Sequence, residues 1–586
     1  MRKLLKYLKD YKKESIIAPL FKMLEATFEL FVPLVMASII DTGIRNNNVP
    51  YIFRMGGILL LLGVIGLICS LTAQYYAAKA GVGFGTELRN HMFRHINQLS
   101  FAELDSIGTS TLITRITSDI NQAQAGVNLV LRLFLRAPYI VAGALIMAFT
   151  INVKIALIFL VAVPVLAVII YGIMLFSIPM YKKVQKKLDL VLKLTRENLV
   201  GVRVIKAFCR QRDNMREFDT ATDDLMNMQL LVGKVSALLN PVTYVIVNAA
   251  IIAIVWYGGI KVDTGTITQG EVIALVNYMT QILLALIALS NLIISFTKAM
   301  ASASRINEVL GETPSIIETE NSRIEKKEEN TVCPSAFKVQ MKGVHFTYKD
   351  AKEESITDLS FSVKAGETIG IIGGTGSGKS TLINLLPRFM DVSAGEILLD
   401  GKNVKDYPLK ILREKCGVVP QKAVLFKGTI RENIKWGKKD ATDEEIYKAL
   451  EIAQAREFVD SKQEGLETMV LQGGQNLSGG QRQRLTIARA LVRKPEILIL
   501  DDSSSALDFA TDAKLRKALA KDTQKTTVFL VSQRATSIRH ADKIIVLEDG
   551  NMAGYGTHEE LLLHCEVYAE ICKSQLSGKE VAKDEK

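Results

Sequence analysis

The chain has 586 residues, 48% of them hydrophobic, and a formal net charge of +11. That length allows two or more domains, and so apolar a composition argues against a purely soluble protein. The charge does not point to nucleic acid, because the lysines and arginines lie in the N-terminal tail and between apolar runs, the positive-inside pattern of a membrane protein.

Apolar runs near residues 15–41, 52–79, 128–151, 153–178, 236–261 and 270–300 predict six membrane helices. The run at 56–81, GGILLLLGVIGLICSLTAQYYAAKAG, exceeds the roughly 20 residues that span a bilayer. The first run follows the basic stretch MRKLLKYLKDYKK, continues to residue 41, contains Glu25 and Glu29, and lacks a small-residue cleavage site. A retained helix is therefore expected rather than a removed signal peptide. Six spans leave both ends on one side. The segments between the second and third runs and between the fourth and fifth are each about 50 residues long, helix-forming and charged, whereas the other connections are short. Lysine and arginine place the N-terminus, both long loops and the second half in the cytosol, in a multi-pass protein of the cell membrane with the lipid bilayer around it.

Glu25 and Glu29 share a face of the first helix, and Arg132 and Arg136 share one near the start of the third. Charges at membrane depth face a bundle interior or a water-filled cavity, so these four are the candidate lining of a substrate cavity. Two placements stay open for the arginines: snorkelling at the cytosolic interface, or pairing with the glutamates along a substrate path. Pro33, Pro138, Pro164 and Pro241 are expected to kink or break their helices, and packing alone would also account for them. The six cysteines, at 69, 209, 333, 416, 565 and 572, show no metal-ligand spacing and read as free thiols.

A charged, aperiodic stretch at 311–335 reads as a linker between a membrane domain at 1–310 and a second domain at 336–578, with a disordered tail at 579–586. In the second domain short β-rich runs alternate with helical ones, which predicts an α/β fold with a largely parallel sheet. The fold class is thus an all-α, six-helix transmembrane domain followed by an α/β P-loop domain. Gly373-Gly374-Thr375-Gly376-Ser377-Gly378-Lys379-Ser380 fits G-x-x-x-x-G-K-[ST] between an apolar strand and a helix, with Thr381 next in the chain. Glycines let backbone N–H groups curl around phosphate oxygens, Lys379 reaches the β and γ phosphates, and Ser380 ligates magnesium. ATP with Mg2+ is the expected cofactor pair. The strand ILILD ends in Asp501, placed to hold the metal through water, and Asp502 follows it directly.

Between these motifs lies NLSGGQRQRLTIARAL (476–491), whose Ser478-Gly479-Gly480-Gln481 resembles the signature motif of ABC ATPases. The resemblance implies that Tyr348 stacks on adenine, that Gln421 is the Q-loop glutamine at the metal and the attacking water, and that Asp508 is the D-loop acid. The stretches 101–120 and 197–211 look like the intracellular loops of ABC exporters, each of which in that family carries a short coupling helix. Resemblance extends from about residue 10 to 575.

Three positions depart from the family pattern. Asp502 stands where a general-base glutamate is usual, Gln533 where a histidine contacts the γ-phosphate, and Gln472 where the X-loop has a glutamate. Losing one methylene draws the carboxylate back by about 1.5 Å, and misplacement of about 1 Å can slow a reaction about a hundredfold. This combination resembles the degenerate-site subunit of heterodimeric bacterial multidrug ABC exporters. It implies a non-identical partner half-transporter with Glu and His at the catalytic positions, and a small amphipathic substrate. The other readings are a homodimeric transporter with slow hydrolysis, an ATP-gated channel or regulator, and a lipid or peptide translocator.

Overall fold

The computed structural model describes residues 2–318, 336–349, 351–503, 505–522 and 525–575. The chain divides into two compact units, residues 1–97 with 109–312, and residues 98–108 with 313–586. Most of the expected linker, with Cys333, and the expected tail lie outside the described residues.

Six helical segments of the first unit are long and apolar enough to cross a membrane: Lys3–Ile44, Val49–Ile96, Thr109–Ile151, Val153–Ala207, Gln211–Asp263 and Gln269–Gly311. Each contains one of the six apolar runs. The 48 residues of Val49–Ile96 rise about 72 Å, more than twice the roughly 30 Å of hydrocarbon. The two long charged loops are therefore mainly continuations of membrane helices. At the tip of the first, helix Phe101–Ile107 starts in a capping box made by Ser100 and Glu103. The second tip differs from the family expectation. Helix Val153–Ala207 runs on to a turn at 208–210, and helix Gln211–Ala237 returns, so no separate short helix forms there among the described residues. No proline lies between Glu197 and Ala207 to stop the long helix earlier.

The prolines divide into two kinds. Pro138 and Pro241 sit in the first turns of helices Arg136–Ile151 and Leu239–Asp263, where a missing N–H costs nothing. Pro33 and Pro164 lie inside helices that continue through them. The core of this unit forms around the last helix, whose buried Tyr278 donates its hydroxyl hydrogen to the Leu30 carbonyl at 2.7 Å.

The second unit has twelve strands among its described residues: β1 (Val339–Phe346), β2 (Ile356–Val363), β3 (Thr368–Gly373), β4 (Ala394–Leu399), β5 (Lys402–Asn403), β6 (Cys416–Val419), β7 (Gly428–Thr429), β8 (Met469–Val470), β9 (Ile497–Asp501), β10 (Thr527–Val531), β11 (Lys543–Glu548) and β12 (Asn551–Gly556). Six of them form a sheet in the order β12-β11-β3-β10-β9-β6, parallel except for the β11–β12 pair. Every residue of β9 and β10 is buried, as expected for strands covered on both faces. A second, antiparallel sheet, β2-β1-β4-β5, was not part of the sequence reading. Cys69, Cys209, Cys416, Cys565 and Cys572 form no disulfide among the described residues.

Candidate nucleotide site

β3 sits inside the parallel sheet between β11 and β10, and its C-terminal end opens into the loop 373–378. Ligands in open α/β sheets bind at such strand ends. Gly378 caps helix Lys379–Leu385 with φ +92, and a Cβ there would lie 2.7 Å from the Ser355 carbonyl oxygen. At Gly373 a Cβ would lie 2.1 Å from the carbonyl oxygen of Leu547. Neither position accepts a side chain, so the loop is held in the curl that presents its N–H groups.

Lys379 is buried, and its Nζ donates to the Gly373 carbonyl at 3.0 Å, to Ser377 Oγ at 3.3 Å and to the Gly374 carbonyl. Burial pushes its ammonium below the ordinary lysine range, while the charges of Asp502 and Asp501 oppose that shift. It forms no ion pair among the described residues. A buried cation held only by neutral oxygens fits an anionic phosphate.

Ser380 Oγ donates to Asp501 at 3.1 and 3.3 Å, joining the helix start to the end of β9. Burial raises the Asp501 carboxyl, and the neighbouring charge of Asp502 raises it further. No group of three acidic, His or Cys ligands occurs among the described residues. A serine hydroxyl, a carboxylate and the Gln421 amide are hard oxygen donors that suit Mg2+, which takes its remaining ligands from phosphate and water. Tyr348 hydrogen-bonds Thr381 through their hydroxyls at 3.0 Å, and its ring meets Phe346 edge-on at 4.9 Å. Tyr348 is 42% exposed, and an exposed aromatic side chain suits stacking on a base.

Asp502 takes a left-handed backbone, φ +44, which aspartate tolerates better than most residues. Its half-buried carboxyl is raised by burial, against a hydrogen bond from Gln421 and the positive charge of Arg534. Arg534, which the sequence reading did not single out, lies over the Phe509 ring at 4.9 Å. Its only sequence signal is that it follows Gln533. Gln533 itself has an exposed side chain.

Ser478 caps the 13-residue helix Gly479–Leu491. Its Oγ accepts from Gln481 N at 3.3 Å, and Gln481 Oε1 accepts from Ser478 N at 3.0 Å. The hydroxyl and amide are used locally, while Gly479 at the helix start is exposed. Asp508 likewise caps helix Phe509–Asp522 through the Thr511 N–H at 2.8 Å and its hydroxyl at 2.9 Å, which hold the carboxyl below its usual range. Within one chain the structure thus gathers Lys379, Ser380, Asp501, Asp502 and Gln421. No hydrogen bond joins Ser478–Gln481 to residues 373–381 among the described residues.

In the membrane unit Arg136 Nη2 donates to Glu29 at 2.7 Å and lies 3.9 Å from Glu25, which pairs with Lys22 at 2.6 Å. Of the two placements open for the arginines, Arg136 takes the pairing one. Arg132 makes no ion pair among the described residues. A cavity of about 180 Å³ is lined by Glu29, Arg136 and Gln281 together with apolar side chains such as Leu133, Ile140 and Leu284. Arg136 Nε and Gln281 Oε1 are buried without a hydrogen-bond partner among the described residues. Gln281 was absent from the sequence reading, although an amide inside the apolar run MTQILLALIAL is a detectable signal.

A family model described as the ABC transporter transmembrane region matches residues 15–286, and one described as ABC transporter matches residues 356–505. The uncharacterized ABC transporter ATP-binding protein YfiB of Bacillus subtilis is 38% identical over 576 residues, covering 98% of each chain. An ATP-dependent lipid A-core flippase of Desulfotalea psychrophila is 32% identical over 509 residues, covering 86% of this chain and 87% of the flippase. Among solved structures, that of a bacterial Atm1-family ABC exporter with ATP bound superposes with a TM-score of 0.79 at 23% identity, covering 97% of this chain and 98% of the other.

Proposed function

Since this chain belongs to the ABC transporter family, as a multi-pass half-transporter with a cytosolic ATPase domain, we propose that it is one subunit of a two-chain, ATP-driven exporter of small amphipathic compounds. Its own P-loop site holds ATP and turns it over slowly, while its Ser478-Gly479-Gly480-Gln481 helix start completes the competent site of a non-identical partner. Bound ATP with Mg2+ supplies the phosphoanhydride whose hydrolysis drives the cycle. On this chain Gly373 to Thr381 bind the phosphates, Ser380, Asp501 and Gln421 hold the metal, and Tyr348 carries the base.

The observation that carries this reading is the contrast between an intact binding set and an altered hydrolytic pair, Asp502 and Gln533. Asp502 is one methylene shorter than a glutamate, and its carboxylate is already engaged by Gln421 and faced by Arg534. Such a group is set back from the attacking water and poorly placed to take its proton. The exposed helix start at Gly479 has orphan N–H groups suited to another chain's phosphate.

The test is ATP turnover in lipid nanodiscs, by this chain alone and in the two-chain complex. Binding with negligible turnover is expected for the chain alone, and Ser478→Ala is expected to depress turnover of the complex at least tenfold. Robust turnover by the single chain type, abolished by Lys379→Ala, would replace this reading with a working homodimer.

The membrane cavity sharpens the substrate class. Lys22 and Arg136 already neutralise Glu25 and Glu29, so the cavity favours an uncharged or internally neutral group over a bare cation. The orphan donor Arg136 Nε and orphan acceptor Gln281 Oε1 suit a group offering both an acceptor and a donor, such as an amide or hydroxyl, on an apolar body. Gln281→Leu is expected to blunt stimulation of ATP turnover by uncharged hydrogen-bonding amphiphiles more than by cations of equal hydrophobicity, and equal effects on both would refute this class. The likeness to a lipid A-core flippase favours a second reading, translocation of a whole lipid. A fluorescent-lipid flip assay in proteoliposomes separates the two.

A further inference from the structure

The last described helix of the chain, Glu566–Gln575, is seated by buried Tyr568 and Cys572. Both belong to the core cluster that includes Ile544 and Val546 of β11 and Ala535 and Ile538. Its final residue reaches back across 40 residues to the loop after β10. Gln575 Nε2 donates to the Gln533 carbonyl at 2.8 Å, and Gln575 Oε1 accepts from the Ala535 N–H at 2.8 Å. One planar amide therefore spans the peptide groups on either side of Arg534.

Both bonds act on backbone groups with few alternatives. Ala535 opens the short helix Ala535–Ile538, whose cap residue Arg534 offers no side-chain acceptor. First-turn N–H groups have no partner inside a helix, so the Gln575 carbonyl does the work of a missing cap. On the inner side, Arg534 N donates to Ser532 Oγ at 3.0 Å. The segment 532–535 is thus held by Ser532 from within and by Gln575 from outside. A side chain at 533 is aimed by its own backbone, and fixing the carbonyl of 533 and the N–H of 535 fixes that direction.

We propose that Gln575 is a positioning residue for the segment 532–535, here called the switch segment, an amide clamp through which the C-terminal helix fixes Gln533 against the nucleotide. This rests on the reading of residues 373–381 and Gln533 as a nucleotide site, and the two fail separately. The clamp acts only on backbone atoms, so it leaves ATP affinity to the P-loop. It governs how closely the switch segment follows the nucleotide once ATP is bound.

The test is hydrogen–deuterium exchange over residues 532–538 of the full chain in nanodiscs, with and without ATP–Mg2+, alongside binding of the fluorescent analogue TNP-ATP. Gln575→Ala is expected to speed exchange at Ala535 by roughly three- to tenfold, the size of one or two modest hydrogen bonds. It is also expected to remove most of the protection that ATP–Mg2+ confers on the segment, with TNP-ATP affinity held within about twofold. Gln575→Glu keeps the acceptor for Ala535 but sets a carboxylate against the Gln533 carbonyl. It should restore slow exchange at Ala535 without restoring the nucleotide-dependent protection. Unchanged exchange at Ala535 in Gln575→Ala, or faster exchange with full nucleotide-dependent protection in both variants, would overturn the proposal. Loss of nucleotide-dependent protection in the unmodified chain, or TNP-ATP binding that survives Lys379→Ala, would instead overturn the nucleotide-site reading.

Discussion

The two sides of the nucleotide site are held by different means. On the P-loop side the hydrogen bonds of the buried lysine are local: Lys379 folds onto carbonyls of its own loop, which glycines at 373 and 378 let pack against the Leu547 and Ser355 carbonyls. On the side of Asp502 and Gln533, the partners come from far along the chain. Asp502 meets Gln421 and Arg534, and the backbone around Gln533 is clamped by Gln575. A local motif tolerates little change and keeps its job. A side assembled from distant hydrogen bonds can exchange one residue for another and keep its shape, and Asp502 and Gln533 lie on that side.

Lys379→Ala removes a buried cation with only neutral partners, and a loss of ATP affinity of at least about a hundredfold is expected by equilibrium binding. Retained affinity would mean that the P-loop side is not the phosphate anchor. On the other side, Asp502→Glu restores the missing methylene and is expected to raise turnover at this chain's own site by about ten- to a hundredfold. If turnover stays flat, the carboxylate length does not account for the proposed slow turnover, and the contrast between the two sides narrows to Gln533.

The smallest expected effect is on pH. Burial raises the carboxyls of both Asp501 and Asp502 above the ordinary 3.8. A group whose folded pKa is raised contributes stability that is fully present below its unfolded value and is lost as pH rises through the folded one. Nucleotide-free protein should therefore lose a little thermal stability as pH climbs from below 3.8 through the raised values, and Asp501→Asn should flatten that slope. Added Mg2+ should oppose the loss at the upper end, since a metal favours the charged carboxylate.

Much was legible in the sequence because the signals are short-range. A run such as ILILD becomes a strand buried at every residue, the six apolar runs fall in six long helices, and the glycine spacing of 373–378 gives the loop. Ser478 and Gln481 three residues apart form a capping box for the same reason. Their spacing alone determines that contact.

Only the tertiary structure decided the rest, since it depends on which distant groups meet. It settled that Arg136 pairs with Glu29 across 107 residues, and that Arg132, one turn away, does not. It brought Gln281 to the same cavity, and it set Gln575 on the switch segment. It also ran Val153–Ala207 through to its loop tip without the separate short helix that resemblance implied. Helical and strand periods are properties of neighbouring residues, whereas pairing of buried polar groups depends on which partners folding brings within about 3 Å. The chain's motifs therefore determined its membrane domain and its ABC ATPase domain, and its long-range hydrogen bonds decided how the segments around Asp502 and Gln533 are held.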